Sequence, residues 1–309
     1  MTLIVIDKRR LTHGVVRLRL GRPDGSELPP FEAGAHLALS VVGMVRQYSI
    51  TSSPRERLHY EIAVLRVPGG RGGSAFIHDG LGIGDEIDVD GPFNGFGLDG
   101  CPPYAVFIAG GIGLTPFYTL IRKALDTGVP CELHYTTRTA ADRLPIPKLG
   151  PGRLVTYVSR EVSNDSAPLD IPGLLQQTRR DAHLYVCGPR RLIESARSTA
   201  DRLGWPRSAV HVESFGAGVA PGDRPLTVHL DLSGVTIRVE PGGSILQAML
   251  DRGIWANYQC RRGECGSCYV EVTAGEAEHR DVCLTPAQRR AGMCPCVSWA
   301  TSDELTIRA

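Results

Sequence analysis

Three cysteines in C-x4-C-x2-C spacing, Cys260, Cys265 and Cys268, constrain this chain more than any other feature. Gly263, Gly266 and Ser267 stand among them, and residues this small let a tight loop bring three thiolates together. The 309 residues hold nine cysteines, and Cys283, Cys294 and Cys296 join these three in the last fifty positions, whereas Cys101, Cys131 and Cys187 are scattered. An odd total in a chain that opens MTLIVIDKRR, with its charges after the apolar stretch, argues against an exported disulfide framework. A cytoplasmic location and a thiolate-bound metal or cluster in a separate C-terminal module are expected.

The x4-x2 spacing is that of a plant-type [2Fe–2S] centre, where four thiolates converge on two irons. The fourth ligand must come from further along. Cys296 in CPCVSWA is the natural candidate, and Cys294, two residues earlier, can substitute. A structural zinc would show two C-x2-C-type pairs, and the segments before the loop fit that poorly. Cys283 reads as a small buried side chain.

Composition excludes other classes. Lys and Arg total 34 against 33 Asp and Glu, a net charge of +1 that argues against a nucleic-acid binder. No apolar run approaches the ~20 residues of a membrane span. Residues 1–100 read as short β-rich segments divided by Gly, Pro and Asp, the pattern of a small antiparallel β-barrel. From 101 to 216, strands such as YAVFIAG and HLYVCG alternate with helical FYTLIRKALDTG and LIESARSTADRLGW, which indicates an α/β domain with a parallel sheet. Residues 217–225 have almost nothing to bury and read as a linker. In 226–309, LTVHLDL and VTIRVEP predict a hairpin. A helix follows that Ser244 and Gln247 cap as a box and Gly253 stops.

Two further motifs carry chemistry. Arg46, Gln47, Tyr48 and Ser49 on a barrel strand precede a Gly72-Gly73-Ser74 turn that can open a short helix. A flavin asks for this set: an aromatic for its ring, a cation and hydroxyls for its phosphate, and backbone N–H groups from a glycine turn. Gly111, Gly113, Thr115 and Pro116 lie in GGIGLTP after a buried strand, where glycines admit a pyrophosphate. This is not the G-x-G-x-x-G fingerprint. Gly188 and Pro189 end another strand of the same domain, where ligands of open α/β sheets gather.

RQYS, RGGS, GGIGLTP, CGP, HVESF and C-x4-C-x2-C…C, in this order, resemble the phthalate dioxygenase reductase family, and EHRDVCLT is similar to a segment of vanillate demethylase reductases. The resemblance covers essentially the whole chain. It implies a plant-type ferredoxin of β-grasp (α+β) fold after the flavin and nicotinamide domains, with Cys296 in PCVS closing the ligand set. It implies FMN, with FAD less favoured, on Arg46, Tyr48, Ser49, Gly73 and Ser74, and Ala63, Val64 and Leu65 along the ring. NADH, or else NADPH, would meet Gly111, Gly113 and Thr115, with Cys187 near the nicotinamide, Phe215 shielding the flavin and Glu213 close by.

The resulting expectation is an electron-splitting reductase of an oxygenase system. It would pass single electrons to a Rieske-type terminal oxygenase, or alternatively to a cytochrome P450, and a monomer is compatible with it. A free-standing flavin reductase, or a regulatory protein with a redox-sensing module, would leave the full ligand set unexplained. Three positions depart from the family pattern: Trp299 where C-x-S-R is common, Arg261-Arg262 in the cluster loop, and Arg138 after HYTT. The arginine pair is expected to raise the cluster potential and to help dock an acidic or cluster-bearing partner.

Overall fold

The computed structural model describes residues 1–98, 100–160, 168–216 and 222–309. The chain divides into two compact units, one of residues 1–68 and 72–213, the other of 69–71 and 214–309. The first unit holds two sheets, so the expected boundary near residue 100 lies within a single compact body. Residues 217–221 of the expected linker lie outside the described residues.

The first sheet comprises β1 (Thr2–Thr12), β2 (Val15–Gly21), β3 (His36–Val41), β4 (Met44–Ser49), β5 (His59–Leu65) and, after the short helix α1 (Gly73–Asp79), β6 (Glu86–Phe93). Its order is β4-β3-β6-β1-β2-β5, every pair is antiparallel, and an Ile50–Ile62 bridge joins the two edges into a barrel. Alternation explains the closure. Along β2, Val16, Leu18 and Leu20 enter the core beside Leu3, Leu37, Ile62 and Val64. Arg17 and Arg19 face out, where they meet Asp7 at 2.5 Å and Glu61 at 3.1 Å.

The second sheet is parallel, with order β11-β10-β7-β8-β9. Its strands are β7 (Ala105–Gly110), β8 (Cys131–Thr137), β9 (Arg153–Val158), β10 (His183–Cys187) and β11 (Val210–Glu213). β7 is buried from end to end, as a central parallel strand covered on both faces must be. Helices α2 (Phe117–Asp126) and α4 (Arg190–Arg202) fall where the helical patterns predict them. The seven-residue α3 (Ile171–Gln177) carries proline and glycine in its sequence and gave no such signal. The strand order reverses between β7 and β10, and this opens a crevice at their carboxyl ends.

The second unit's main sheet runs β13-β12-β18-β14-β16, with β12 (Leu226–Leu230) parallel to β18 (Glu304–Ile307) and the other pairs antiparallel. β13 (Val235–Val239), β14 (Val270–Ala274) and β16 (Gly292–Met293) complete it, α5 (Ile245–Asp251) packs on it, and β15 (Ala277–Glu278) pairs with β17 (Trp299–Ala300). Helix α6 (Pro286–Ala291) carries the full capping box, on Thr285 and Gln288. The box expected at Ser244 is half-formed. Ser244 accepts from the Gln247 N–H at 3.4 Å, but the Gln247 side chain donates one turn on to Asp251 at 2.7 Å.

Residues 222–225 are held rather than free. Asp223 is buried in an ion pair with Arg280, which also reaches Glu278 at 2.7 Å, and the Trp299 indole N–H donates to the Arg224 carbonyl at 3.3 Å. Trp299, the departure from the common C-x-S-R ending, is 4% exposed and supplies core to this unit.

Candidate functional site

In the barrel, β4 carries the first expected group. Among the described residues the Arg46 guanidinium has no carboxylate partner; it donates to the Val45 carbonyl and the Met44 sulfur, and burial pulls its pKa down. A Cβ on Gly73 would lie 3.6 Å from Arg46 Cγ and Nε, so the cation stands at the start of α1. Burial pushes Tyr48 up to about 12, which keeps the phenol neutral against an apolar surface. Gln47 Oε1 is buried without a hydrogen-bond partner. Such an orphaned acceptor costs about 1–3 kcal/mol unless a donor meets it. An unpaired cation and a neutral aromatic on one face of β4 are what a flavin phosphate and ring would satisfy, whereas Gln47, between them, points to the other face.

Gly72 precedes α1, and Ser74 Oγ accepts from the Val67 N–H at 3.0 Å. The β5 trio splits by strand alternation. The Val64 side chain is fully buried in the barrel core while its carbonyl meets His78 Nε2 at 2.9 Å, and Ala63 and Leu65 face the other way.

At the crevice, β7 does not lead straight into a helix. Gly111–Leu114 form a 3-10 turn, and α2 starts at Phe117 after Thr115 and Pro116. A Cβ on Gly113 would sit 2.3 Å from the Cys187 carbonyl oxygen, so this glycine is demanded by backbone approach alone. Gly188 similarly faces Gly110 Cα at 2.9 Å, whereas the space beside Gly111 is open. Pro189 caps the 13-residue α4, which brings a helix N-terminus to this end of the sheet. Cys187 and Glu213 are register partners on β10 and β11 and are both buried. Thr115 Oγ1 lies 3.5 Å from Ser49 Oγ, linking β4 directly to the 111–116 turn. Phe215 is 41% exposed and belongs to the second unit.

The cluster loop occupies the second unit. Among the described residues no three His, Cys, Asp or Glu side chains gather around a point that one metal ion could fill. The thiols nevertheless lie close to one another. Cys260 and Cys265 hydrogen-bond each other, and Cys268 and Cys296 approach to 3.3 Å. Hydrogen bonds from Cys294 and Cys296 pull the Cys268 thiol down to about 3.

Arg261, Gly263 and Gly266 all have positive φ, which winds the loop tightly around its thiols. The Arg262 N–H reaches Cys260 Sγ at 3.4 Å, and the Gly263 N–H meets Cys296. Cys294 instead bonds other thiols, Cys268 and Cys283. Backbone donors aimed at sulfur fit a cluster held by Cys260, Cys265, Cys268 and Cys296.

The EHRDVCLT segment supports this loop, a role its sequence did not reveal. A Cβ on Gly263 would meet Val297 at 2.5 Å and Asp281 Cα at 2.9 Å, and the Val282 N–H donates to the Gly263 carbonyl at 2.8 Å. Arg262 is nearly buried and pairs with Glu264 at 3.2 Å, while Arg261 stacks over Tyr258 at 4.3 Å. Only Arg261 of the two presents its charge outward, so the expected docking pair reduces to one arginine.

Comparison with known proteins agrees with this geometry. A 2Fe-2S iron-sulfur cluster binding domain model matches residues 228–301, and an oxidoreductase FAD-binding domain model matches residues 2–97. Phenoxybenzoate dioxygenase subunit beta of Ectopseudomonas oleovorans is 38% identical, over 95% of this chain and 92% of its own. Phthalate dioxygenase reductase of Burkholderia cepacia is 33% identical over 99% and 97%. A solved phthalate dioxygenase reductase, described as modular for electron transfer from pyridine nucleotides to [2Fe–2S], superimposes with a TM-score of 0.80 at 32% identity, covering 100% of this chain and 98% of that one. With this architecture, the two domain matches and full-length identity above 30%, the chain belongs to the phthalate dioxygenase reductase family of flavin and [2Fe–2S] oxidoreductases, the electron-transfer reductases of oxygenase systems.

Proposed function

We propose that this reductase binds FMN, takes its electrons from NADH and delivers them singly to a Rieske-type terminal oxygenase in the cytoplasm. When bound, the flavin accepts a hydride and the cluster handles single electrons, which is the chemistry that protein groups lack. The chain's own residues bind, orient and exclude water.

FMN ends in a phosphate monoester, and Arg46 beside Gly73 supplies a cation and a helix start for that dianion. Tyr48 gives the ring an apolar neighbour. Gly111 and the α4 N-terminus offer the crevice to a pyrophosphate, with buried Cys187 and Glu213 at its floor. The observation that supports the reading is the Ser49–Thr115 contact, which brings β4 and the 111–116 turn together within one compact unit, as hydride transfer between a flavin and a nicotinamide held there would require.

Electrons leave from the cluster loop. Trp255, 83% exposed, stands five residues before Cys260, and Tyr258 and Arg261 stack next to it in sequence. Exposed aromatics with an arginine are the composition of an interface centre. The phthalate and phenoxybenzoate dioxygenase names of the relatives support an aromatic-ring oxygenase as partner.

The test is direct. Flavin released by acid and resolved by chromatography should be FMN, and NADH should give a higher kcat/KM than NADPH. The reduced protein should reduce a Rieske oxygenase faster than a cytochrome P450. Release of FAD, a preference for NADPH, or faster P450 reduction would each refute the corresponding part.

A further inference from the structure

Six cysteines crowd the second unit, and the ligand set uses four. The two left over, Cys283 and Cys294, touch each other. We propose that they are a modification site, a dithiol that hydroperoxides oxidise to an intramolecular disulfide in preference to the cluster ligands. The inference rests on Cys296, not Cys294, being the fourth ligand.

The Sγ atoms lie 3.8 Å apart, although the residues are 11 positions apart in sequence. Helix α6 and the turn after it fold this segment back on itself and so bring the two thiols together. A disulfide bond is about 2.05 Å long, so the sulfurs must close by about 1.8 Å, within reach of side-chain rotation. Both cysteines pack with Leu246, Cys268 and Cys296 in one small apolar cluster, and Cys283 Sγ would lie 3.7 Å from a Cβ on Gly266. The pair therefore stands against the cluster loop itself.

Exposure sets the order of events. Cys283 is partly open, whereas Cys294 is fully buried. A hydroperoxide meets Cys283 first: its sulfur takes the terminal oxygen as the O–O bond breaks, giving a sulfenic acid and an alcohol, or water from hydrogen peroxide. The Cys294 thiol then displaces water from that sulfur, and the S–S bond forms. Two thiols supply two electrons, and one hydroperoxide consumes them. Cluster-bound sulfurs carry no thiol proton and are shared with iron, so the free Cys283–Cys294 pair is the dithiol beside the centre.

The experiment uses the intact holoprotein. It is treated with a few equivalents of hydrogen peroxide, quenched with catalase, alkylated under denaturing conditions and mapped by mass spectrometry. The expected result is a Cys283–Cys294 cross-linked peptide while the visible spectrum persists, reversed by dithiothreitol. Cys294→Ser should abolish the cross-link and drive Cys283 to sulfinic acid. Cys283→Ser, at a half-buried position, should leave Cys294 as a free thiol. Bleaching of the cluster while both cysteines still alkylate would overturn the proposal. Loss of the cluster in Cys294→Ser with retention in Cys296→Ser would instead overturn the ligand assignment, and the proposal with it.

Discussion

The glycine at 113 and the carbonyl of Cys187 leave no room between them for a methyl group, since a Cβ at 113 would come within 2.3 Å of that oxygen. The 111–116 turn and the end of β10 thus pack backbone against backbone at the floor of the crevice. Gly113→Ala should force them apart at a cost of about 1–3 kcal/mol, the usual range for overpacking. The expected outcome is a lower melting temperature and a fall of tenfold or more in kcat/KM for NADH with ferricyanide as acceptor. Unchanged kinetics would show that the close approach does not position the nucleotide.

Arg46 tests the phosphate site. A hydrogen bond to a charged group contributes about 1.5–3 kcal/mol, so Arg46→Gln should weaken flavin binding by roughly 10- to 150-fold. Reconstitution of flavin-free protein, followed by flavin fluorescence, measures this. The cluster spectrum should be unaffected, because Arg46 belongs to the other compact unit.

Cys294 and Cys296 both bond the Cys268 thiol, but only Cys296 also receives a loop N–H, from Gly263. Cys296→Ser should lose the [2Fe–2S] absorption and its paramagnetic resonance signal, while Cys294→Ser should keep both.

Arg261 is the outward charge of the loop. Arg261→Glu should slow partner reduction at low salt and flatten its ionic-strength dependence, as loss of electrostatic steering does. NADH–ferricyanide turnover should remain unchanged. Arg262→Glu would act otherwise, because it breaks the pair with Glu264 and should destabilise the loop.

Much of this architecture was legible in the sequence because period and spacing are local. The cysteine loop, the β7 strand and the α2 and α4 patterns each announce themselves within a dozen residues. Less local features were not. Asp223 and Arg280 are 57 residues apart, and nothing near either one signals that together they pin the chain end of an expected tether. The three-dimensional reason for Gly113 is a carbonyl on a strand 74 positions away, so spacing alone could suggest a phosphate turn but not the packing demand. The Ser244 box failed because Gln247 found Asp251 on its own helix, a competition that a four-residue motif cannot show.

The most direct test of the relay is an anaerobic titration of the purified holoprotein with NADH, read by visible absorption and electron paramagnetic resonance together. The account expects three electrons taken up, with flavin bleaching and one [2Fe–2S] spin per chain at the end point. Flavin bleaching with a silent cluster, or a cluster reduced without the flavin, would contradict it.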